Sequence, residues 1–297
     1  MNGKAPHIVQ YQGSKRKLAS QILEYMPRRF NRLIEPFSGM AAITIAAATE
    51  KKADSYIIND INSPLVYLLR EAIENPIRLY NNYKEVWESQ FVFGDNHTQH
   101  FYDIREEFNN GNQTPENFLY LLARCVKGSV RYGSSGNFNQ SPDKRRHGTK
   151  PETLKRNVCA VSELLKGRVK FYSLDYREIL EMAKPGDLVY MDPPYQGVSN
   201  TRDSRYYAGV DYDEFVDAIE DLNKRSIDYL ISYDGICGHR TYGKDLPAHL
   251  GCEKILLNAG LSSQATLLGK KSTTFEALYL SHSLLDLNEA LKMEAIA

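Results

Sequence analysis

The tetrapeptide Asp192-Pro193-Pro194-Tyr195 concentrates more chemistry than any other stretch of this chain. It follows Gly186-Asp187-Leu188-Val189-Tyr190-Met191, a turn and then a short apolar run of the kind that forms a buried strand. Two consecutive prolines remove two N–H donors and fix two φ angles. The residue ahead of a proline is pushed toward an extended backbone, so Asp192 is held stiffly. A strand end then carries a carboxylate, a free carbonyl on Pro193 and an aromatic face on Tyr195. Two rigid acceptors beside a stacking plane suit a planar ring that bears an amine, such as an adenine taken out of a duplex and held by its exocyclic amino group. The competing reading is a strand stopped by proline and capped by an acid. The order of the other motifs favours the first.

Those motifs begin near the N-terminus. Residues 15–26 have helical spacing of Leu18, Ile22 and Leu23, with Pro27 as a stop. Residues 32–35 form a short strand, Pro36-Phe37-Ser38-Gly39-Met40 a turn and 41–49 an alanine-rich helix. A second strand, 55–59, ends at Asp60, and a helix over 65–73 follows. Strand, glycine loop, helix, strand, acid is the half-Rossmann layout for a cofactor that carries adenosine. Asp60 lies about twenty residues beyond Gly39, the distance at which a carboxylate reaches ribose hydroxyls.

From residue 75 to 165 the parallel-sheet rhythm stops. Residues 76–89, 98–108 and 115–127 read as helices, the last with Phe118, Leu121, Leu122 and Val126 on one side. Glycines and serines around aromatics in 128–140 predict a hairpin or long loop. Within it Arg131 and Asn137 have the side chains that pair bidentately with guanine and adenine edges, and Tyr132 and Phe138 can stack on or wedge between bases. A helix over 151–165 closes this segment. The sheet resumes with 169–174, ending at Asp175, then a short helix and the strand that leads to Asp192. Residues 196–210 are polar and rich in Tyr and Arg, and read either as a mobile lid over the base pocket or as a disordered stretch. A helix over 213–224 and strands at 229–233, 253–257 and 274–280 follow, the last with Leu267-Leu268 as a candidate pairing partner.

Composition bounds the class. The chain has 297 residues, 42% hydrophobic and 25% charged, as in an ordinary globular protein large enough for two domains or one with an insertion. No apolar run reaches the length of a membrane span. The N-terminus has no secretory pattern, so the cytoplasm is the expected location. The four cysteines, Cys125, Cys159, Cys237 and Cys252, form no CxxC pair and imply neither a disulfide framework nor a zinc site. His97 and His100 read as part of a polar loop, so no metal is expected. The formal net charge of zero hides an asymmetry: residues 127–156 carry a net +6, and the remainder −6. A basic segment of this kind is an electrostatic footprint for a polyanion.

With these motifs in this order, the chain resembles the Dam-like α-class adenine-specific DNA methyltransferases over nearly its whole length. Tyr11-Gln12-Gly13-Ser14-Lys15 resembles the family's aromatic–x–Gly–small–Lys motif, Glu35-Pro36-Phe37-Ser38-Gly39 its cofactor loop, and Asp60-Ile61-Asn62 its ribose-binding acid motif. Asp175 stands where the family has an acid near the cofactor's adenine. The segment from Arg131 through Asn139 resembles its DNA-reading hairpin. The resemblance implies a Rossmann-like α/β methyltransferase sheet (residues 1–74 and 166–297) with an inserted, mainly helical recognition domain carrying a hairpin (75–165).

It implies S-adenosyl-L-methionine as cofactor, held by Tyr11, Gly13, Ser14, Lys15, Glu35, Pro36, Phe37, Ser38, Gly39, Asp60, Ile61, Asp175 and Asp192, with Lys15 near the catalytic acid. Catalysis would fall to Asp192, Pro193 and Tyr195. DNA contacts would fall to Arg131, Tyr132, Asn137, Phe138, Asn139, Lys144, Arg145 and Arg146. The expected partner is double-stranded DNA, with a cognate restriction endonuclease as a candidate second partner, and the protein is expected to be a prokaryotic or phage-encoded monomer. Ala41 departs from the pattern: many members have a second glycine there, and its methyl is expected to crowd the cofactor's methionine end. Enzymes that modify cytosine resemble a Ser-Pro-Pro-Tyr or Ser-Pro-Pro-Trp form, and those acting on protein glutamine or structured RNA an Asn-Pro-Pro-Tyr form. A regulator that had lost catalysis would have one of these motifs broken.

Overall fold

The computed structural model describes residues 5–92, 94, 97–194, 210–237, 240–241, 244–261 and 273–285. Its frame is one sheet built from β1 (Phe30–Glu35), β2 (Ala53–Asn59), β3 (Val169–Tyr172), β4 (Leu188–Met191), β5 (Asp228–Cys237), the two-residue β6 (Arg240–Thr241), β7 (Glu253–Leu261) and β8 (Thr273–Leu280). The strand order is β3-β2-β1-β4-β5-β8-β7, with β6 beside β5. The first five strands of that order run parallel, and β8 is antiparallel to both β5 and β7. All four residues of β4 are buried, as expected of an apolar run flanked on both sides in a sheet covered on both faces. Chain order reverses between β1 and β4. That switch point leaves a crevice beyond the C-terminal strand ends, where α/β sheets bind ligands.

Helices fill both faces. On one lie α1 (Ala19–Glu24), α2 (Ala42–Thr49), α3 (Ser63–Glu74) and α7 (Pro151–Leu165). On the other lie α8 (Tyr176–Glu181) and α9 (Tyr212–Lys224). Helix α2 is buried from Ile43 to Ala48, because its alanines let it sit between the sheet and its neighbouring helices. Helices α4 (Pro76–Ser89), α5 (His97–Asn109) and α6 (Pro115–Arg124) build the segment between α3 and α7. Proline opens α4, α6 and α7 in their first turn, where its missing N–H costs nothing. The rings of Phe108 and Phe118 stack at 5.3 Å. These rings belong to the same continuous apolar cluster as the sheet face under α2 and α3, so the helical segment shares its core with the sheet.

Two expected helices are shorter than their periodicity predicts. The span 15–26 divides into a 3-10 turn, Lys15–Lys17, and α1. Ser14 caps that turn by accepting from the Arg16 N–H, and the tight winding buries Lys15. The helix over 115–127 stops at Arg124, with Cys125 extended and Lys127 and Gly128 both at positive φ. A β-carbon on Gly128 would lie 2.0 Å from the Gln10 carbonyl oxygen, so glycine is required where these two segments touch.

Candidate active site

The crevice at the switch point is a cleft of about 480 Å³, within the range of small-molecule sites. Its floor is the glycine loop after β1. Asn59, buried at the end of β2, donates to the carbonyls of Pro36 (2.8 Å) and Leu174 (3.0 Å) and accepts from the Leu174 N–H (2.9 Å). One amide thus ties the loops that follow β1, β2 and β3. Asp60 accepts from the N–H groups of Gly39 (3.0 Å) and Asn62 (2.9 Å), and burial raises its pKa from the ordinary carboxylate value. Tyr11 closes over Gly39: a β-carbon there would meet its ring at 3.3 Å. Ile61 is exposed beside the cleft, and Asp175 caps α8 while paired with Arg177 at 2.8 Å. That pairing holds the Asp175 carboxyl below its usual range. Phe37 packs on Tyr176 with ring centroids 5.1 Å apart.

Glu35 ends β1, 2% exposed, and accepts from the Thr44 N–H of α2 at 3.0 Å. It thereby serves the helix N-terminus in place of Ala41, which makes no side-chain cap. A helix N-terminus favours a negative charge, yet desolvation outweighs it and pushes the Glu35 pKa up to about 8. The nearby Asp192 charge contributes to that rise. Asp192 stands past the end of β4, and both its oxygens accept from the Lys15 ammonium at 2.8 Å. Lys15, 7% exposed, is also 3.6 Å from Glu276 on β8.

The hairpin meets this cleft directly. Residues 131–139 fold back through an antiparallel bridge between Tyr132 and Phe138. The Gly133 N–H donates to the Asn137 carbonyl (2.8 Å), and the Asn139 N–H to that of Arg131 (2.8 Å). Val130 and Tyr132 line the cleft, and the Tyr132 hydroxyl donates to Asn62 Oδ1 at 3.0 Å. At the hairpin root the Gln12 N–H donates to the Gly128 carbonyl at 3.0 Å, and the Ser129 hydroxyl donates to the Gln12 side chain. Arg131, Asn137 and Asn139 are exposed, as are Lys144, Arg145 and Arg146. Asp143 pairs with Arg145 (3.5 Å) and Arg146 (3.7 Å), leaving both guanidiniums largely in solvent.

The sequence expectations meet this geometry unevenly. Tyr11, Gly13, Ser14, Lys15, Glu35, Pro36, Phe37, Ser38, Gly39, Asp60, Ile61, Asp175, Asp192 and Pro193 all line the one cleft. Tyr195, the lid over 196–210 except Val210, and Leu267-Leu268 lie outside the described residues. Phe138 is a correction: at 1% exposure, with its ring 6.0 Å from Phe108 and 6.2 Å from Phe118, it is a core residue of the insertion and cannot wedge between bases. Ala41 is another. Its methyl is fully buried in the apolar core and does not line the cleft. What it brings is a left-handed backbone, φ +52°, which costs a non-glycine residue roughly 1–2 kcal/mol. Asn59 is absent from the sequence expectations, and Asn62 and Gln12 enter them only as motif members without a role of their own; an Asn directly before the strand-end acid is the available signal for the first. Among the described residues no group of three or more His, Cys, Asp or Glu is arranged to hold a metal ion, and no helix is long and apolar enough to cross a membrane.

Residues 11–293 match the model of the D12 class N6 adenine-specific DNA methyltransferases. The chain belongs to this family. Its relatives include the type II methyltransferase M1.LlaDCHI of Lactococcus lactis subsp. cremoris, 26% identical over 76% of this chain and 80% of that protein. The DNA adenine methylase of Serratia marcescens is 30% identical over 67% of this chain and 70% of its own length. The DNA N-6-adenine-methyltransferase of Escherichia phage P1 is 29% identical over 77% of this chain but only 30% of its own length. The protein is thus an adenine-specific DNA methyltransferase with a Rossmann-like sheet.

Proposed function

We propose that this methyltransferase uses S-adenosyl-L-methionine, bound in the cleft, and acts on the exocyclic amino group of an adenine flipped out of double-stranded DNA. The donor set fits such a cofactor. Glu35 is a buried carboxyl suited to the cationic methionine end, Asp60 keeps lone pairs for ribose hydroxyls, and Ile61 with Asp175 borders the space for its adenine. When bound, the cofactor supplies an electrophilic methyl group. The chain's own residues do the rest. Adenine's amino lone pair is delocalised into the ring, so the group is a poor nucleophile. Hydrogen bonds from its two N–H groups to Asp192 and the Pro193 carbonyl localise that lone pair and stabilise the positive charge that develops on nitrogen. Holding amine and methyl donor in one cleft supplies the proximity term. Tyr195 stacks on the flipped base.

Residues 75–165 act as the recognition domain, and 1–74 with 166–297 as the catalytic domain. Arg131 and Asn137 read base edges, Tyr132 and Asn139 lie against the duplex, and Lys144, Arg145 and Arg146 contact phosphates. A restriction-modification, phage or housekeeping methylation system is the setting, with a cognate endonuclease as partner in the first case. The observation that carries the reading is the convergence of Asp192, Lys15, the glycine loop and the hairpin on one cleft. Incubation with unmethylated genomic DNA and S-adenosyl-L-methionine, followed by nucleoside mass spectrometry, should yield N6-methyladenine and no methylcytosine. Methylcytosine alone, or no product, would overturn it.

A further inference from the structure

A second carboxylate flanks the Lys15 ammonium. Glu276 lies on β8, on the sheet face that carries Leu278 and Leu280, and its register partner on β5 is Gly235. Its Oε2 is 3.6 Å from Lys15 Nζ, and that oxygen is buried without a hydrogen bond among the described residues. The same ammonium donates to both oxygens of Asp192 at 2.8 Å. An ammonium offers three N–H groups and an ionised carboxylate only accepts. As it stands, Lys15 points its hydrogens at both oxygens that a target amine would need.

We propose that Glu276 is a positioning residue that draws the Lys15 ammonium aside when adenine engages Asp192. Charge-assisted N–H···O bonds are about 2.7–2.9 Å long, so a shift of under about 1 Å closes the Lys15–Glu276 contact to a full hydrogen bond and gives the unpartnered Oε2 its donor. One Asp192 oxygen is then released to the amine while the ammonium keeps the other. The move leaves the charge of the cluster unchanged, because Lys15 stays between two carboxylates throughout. Without Glu276 the ammonium loses this second carboxylate, and a target amine meets the bidentate Lys15–Asp192 ion pair.

The test uses the full chain, unmethylated genomic DNA and saturating S-adenosyl-L-methionine. Glu276→Gln keeps the shape and removes the anchoring charge. It should lower kcat by about 10- to 100-fold, the scale of a misplacement near 1 Å, with cofactor Kd within about twofold and Tm nearly unchanged. Glu276→Asp should fall between the two, because its charge remains but stands one methylene back. A glutamine variant with kcat within twofold of wild type, or one whose loss is matched in cofactor affinity, would overturn the proposal. If that variant fails to fold, Glu276→Asp decides alone: a lowered kcat at unchanged cofactor affinity supports the role, and a wild-type kcat removes it. The inference rests on Asp192 as acceptor of the amine, and the two fail separately. Activity surviving in Asp192→Ala sinks that reading, whereas an inactive Asp192→Ala beside a fully active Glu276→Gln sinks only this one.

Discussion

Glu35→Gln isolates a strongly perturbed carboxyl of the cleft. An ordinary glutamate titrates near 4.5, and burial moves Glu35 to about 8 in the folded protein. Between those two values the folded state holds a proton that the unfolded state has lost. Stability therefore falls as pH rises from about 4.5 to about 8, and this contribution is flat outside that window. Each pH unit is worth about 1.36 kcal/mol, so the whole span is on the order of 5 kcal/mol. From pH 6 to pH 8.5 the protein crosses about two units of it, on the order of 3 kcal/mol. Glutamine is isosteric, does not titrate, and its carbonyl still accepts the Thr44 N–H that Glu35 accepts at 3.0 Å.

Urea unfolding of both proteins without cofactor, at pH 6, 7 and 8.5, measures the effect. The stability of the variant relative to wild type should improve by roughly 3 kcal/mol from the first pH to the last, whatever its value at pH 6. A difference that stays constant across the range would mean that Glu35 is already ionised in the folded chain. The same residue makes a cofactor prediction. The cationic methionine end favours the carboxylate over the carboxyl, so binding at pH 7 should release a proton from Glu35. Calorimetry in buffers of different ionisation enthalpy should detect it in wild type and lose it in the variant.

Asp192→Ala should reduce methyl transfer by about two to three orders of magnitude, as loss of one oriented catalytic partner does, with DNA binding largely kept; a tenth of the wild-type rate or more would contradict its role. Arg131→Ala should relax sequence choice by about 1–3 kcal/mol at one base, measured as the ratio of cognate to mismatched binding, whereas neutralising Arg145 and Arg146 should weaken all duplexes alike and flatten the salt dependence. Phe138→Ala should cost about 3–5 kcal/mol of stability in denaturant unfolding, and a surface value near zero would return that ring to the DNA face. Tyr132→Phe leaves Asn62 Oδ1 without that donor, a loss of about 1 kcal/mol. It should appear as weaker cofactor binding in the absence of DNA.

The parallel half of the sheet and the line of cleft residues could be read from the chain because they depend on short-range rules. Strands of four to seven residues bring Glu35, Asp60 and Asp192 to their C-terminal ends, and an acid at the C-terminal end of a parallel strand stands at the crevice where such sheets bind ligands. What could not be read depends on contacts distant in sequence. Phe138 looks like an exposed aromatic in a glycine-serine loop, and only the packing of α5 on α6 turns its ring inward. The direction of the Ala41 methyl depends on a left-handed φ that alanine's local preference argues against. Glu276 alternates with leucines in an ordinary antiparallel strand pattern, and its importance comes from a lysine 261 positions earlier.

The N-terminal turn explains why such distant segments have to meet. Residues 11–15 deliver Lys15 to Asp192, cover Gly39 with Tyr11, and hold the hairpin root through Gln12 on Gly128 and Ser129. From the other side Tyr132 binds Asn62, whose N–H in turn donates to Asp60. The proposed DNA-reading element and the proposed cofactor loop are therefore joined at two points by part-buried hydrogen bonds. Any movement of the hairpin onto a duplex strains or relieves the same contacts that shape the cleft, so the two binding events must share free energy. By linkage that coupling acts equally in both directions. Cofactor should tighten or loosen DNA binding by the same factor that DNA changes cofactor affinity, and Tyr132→Phe and Ser129→Ala should each reduce that factor toward one. A factor unchanged in both variants would mean that the two ends of the cleft are wired through the shared apolar core instead.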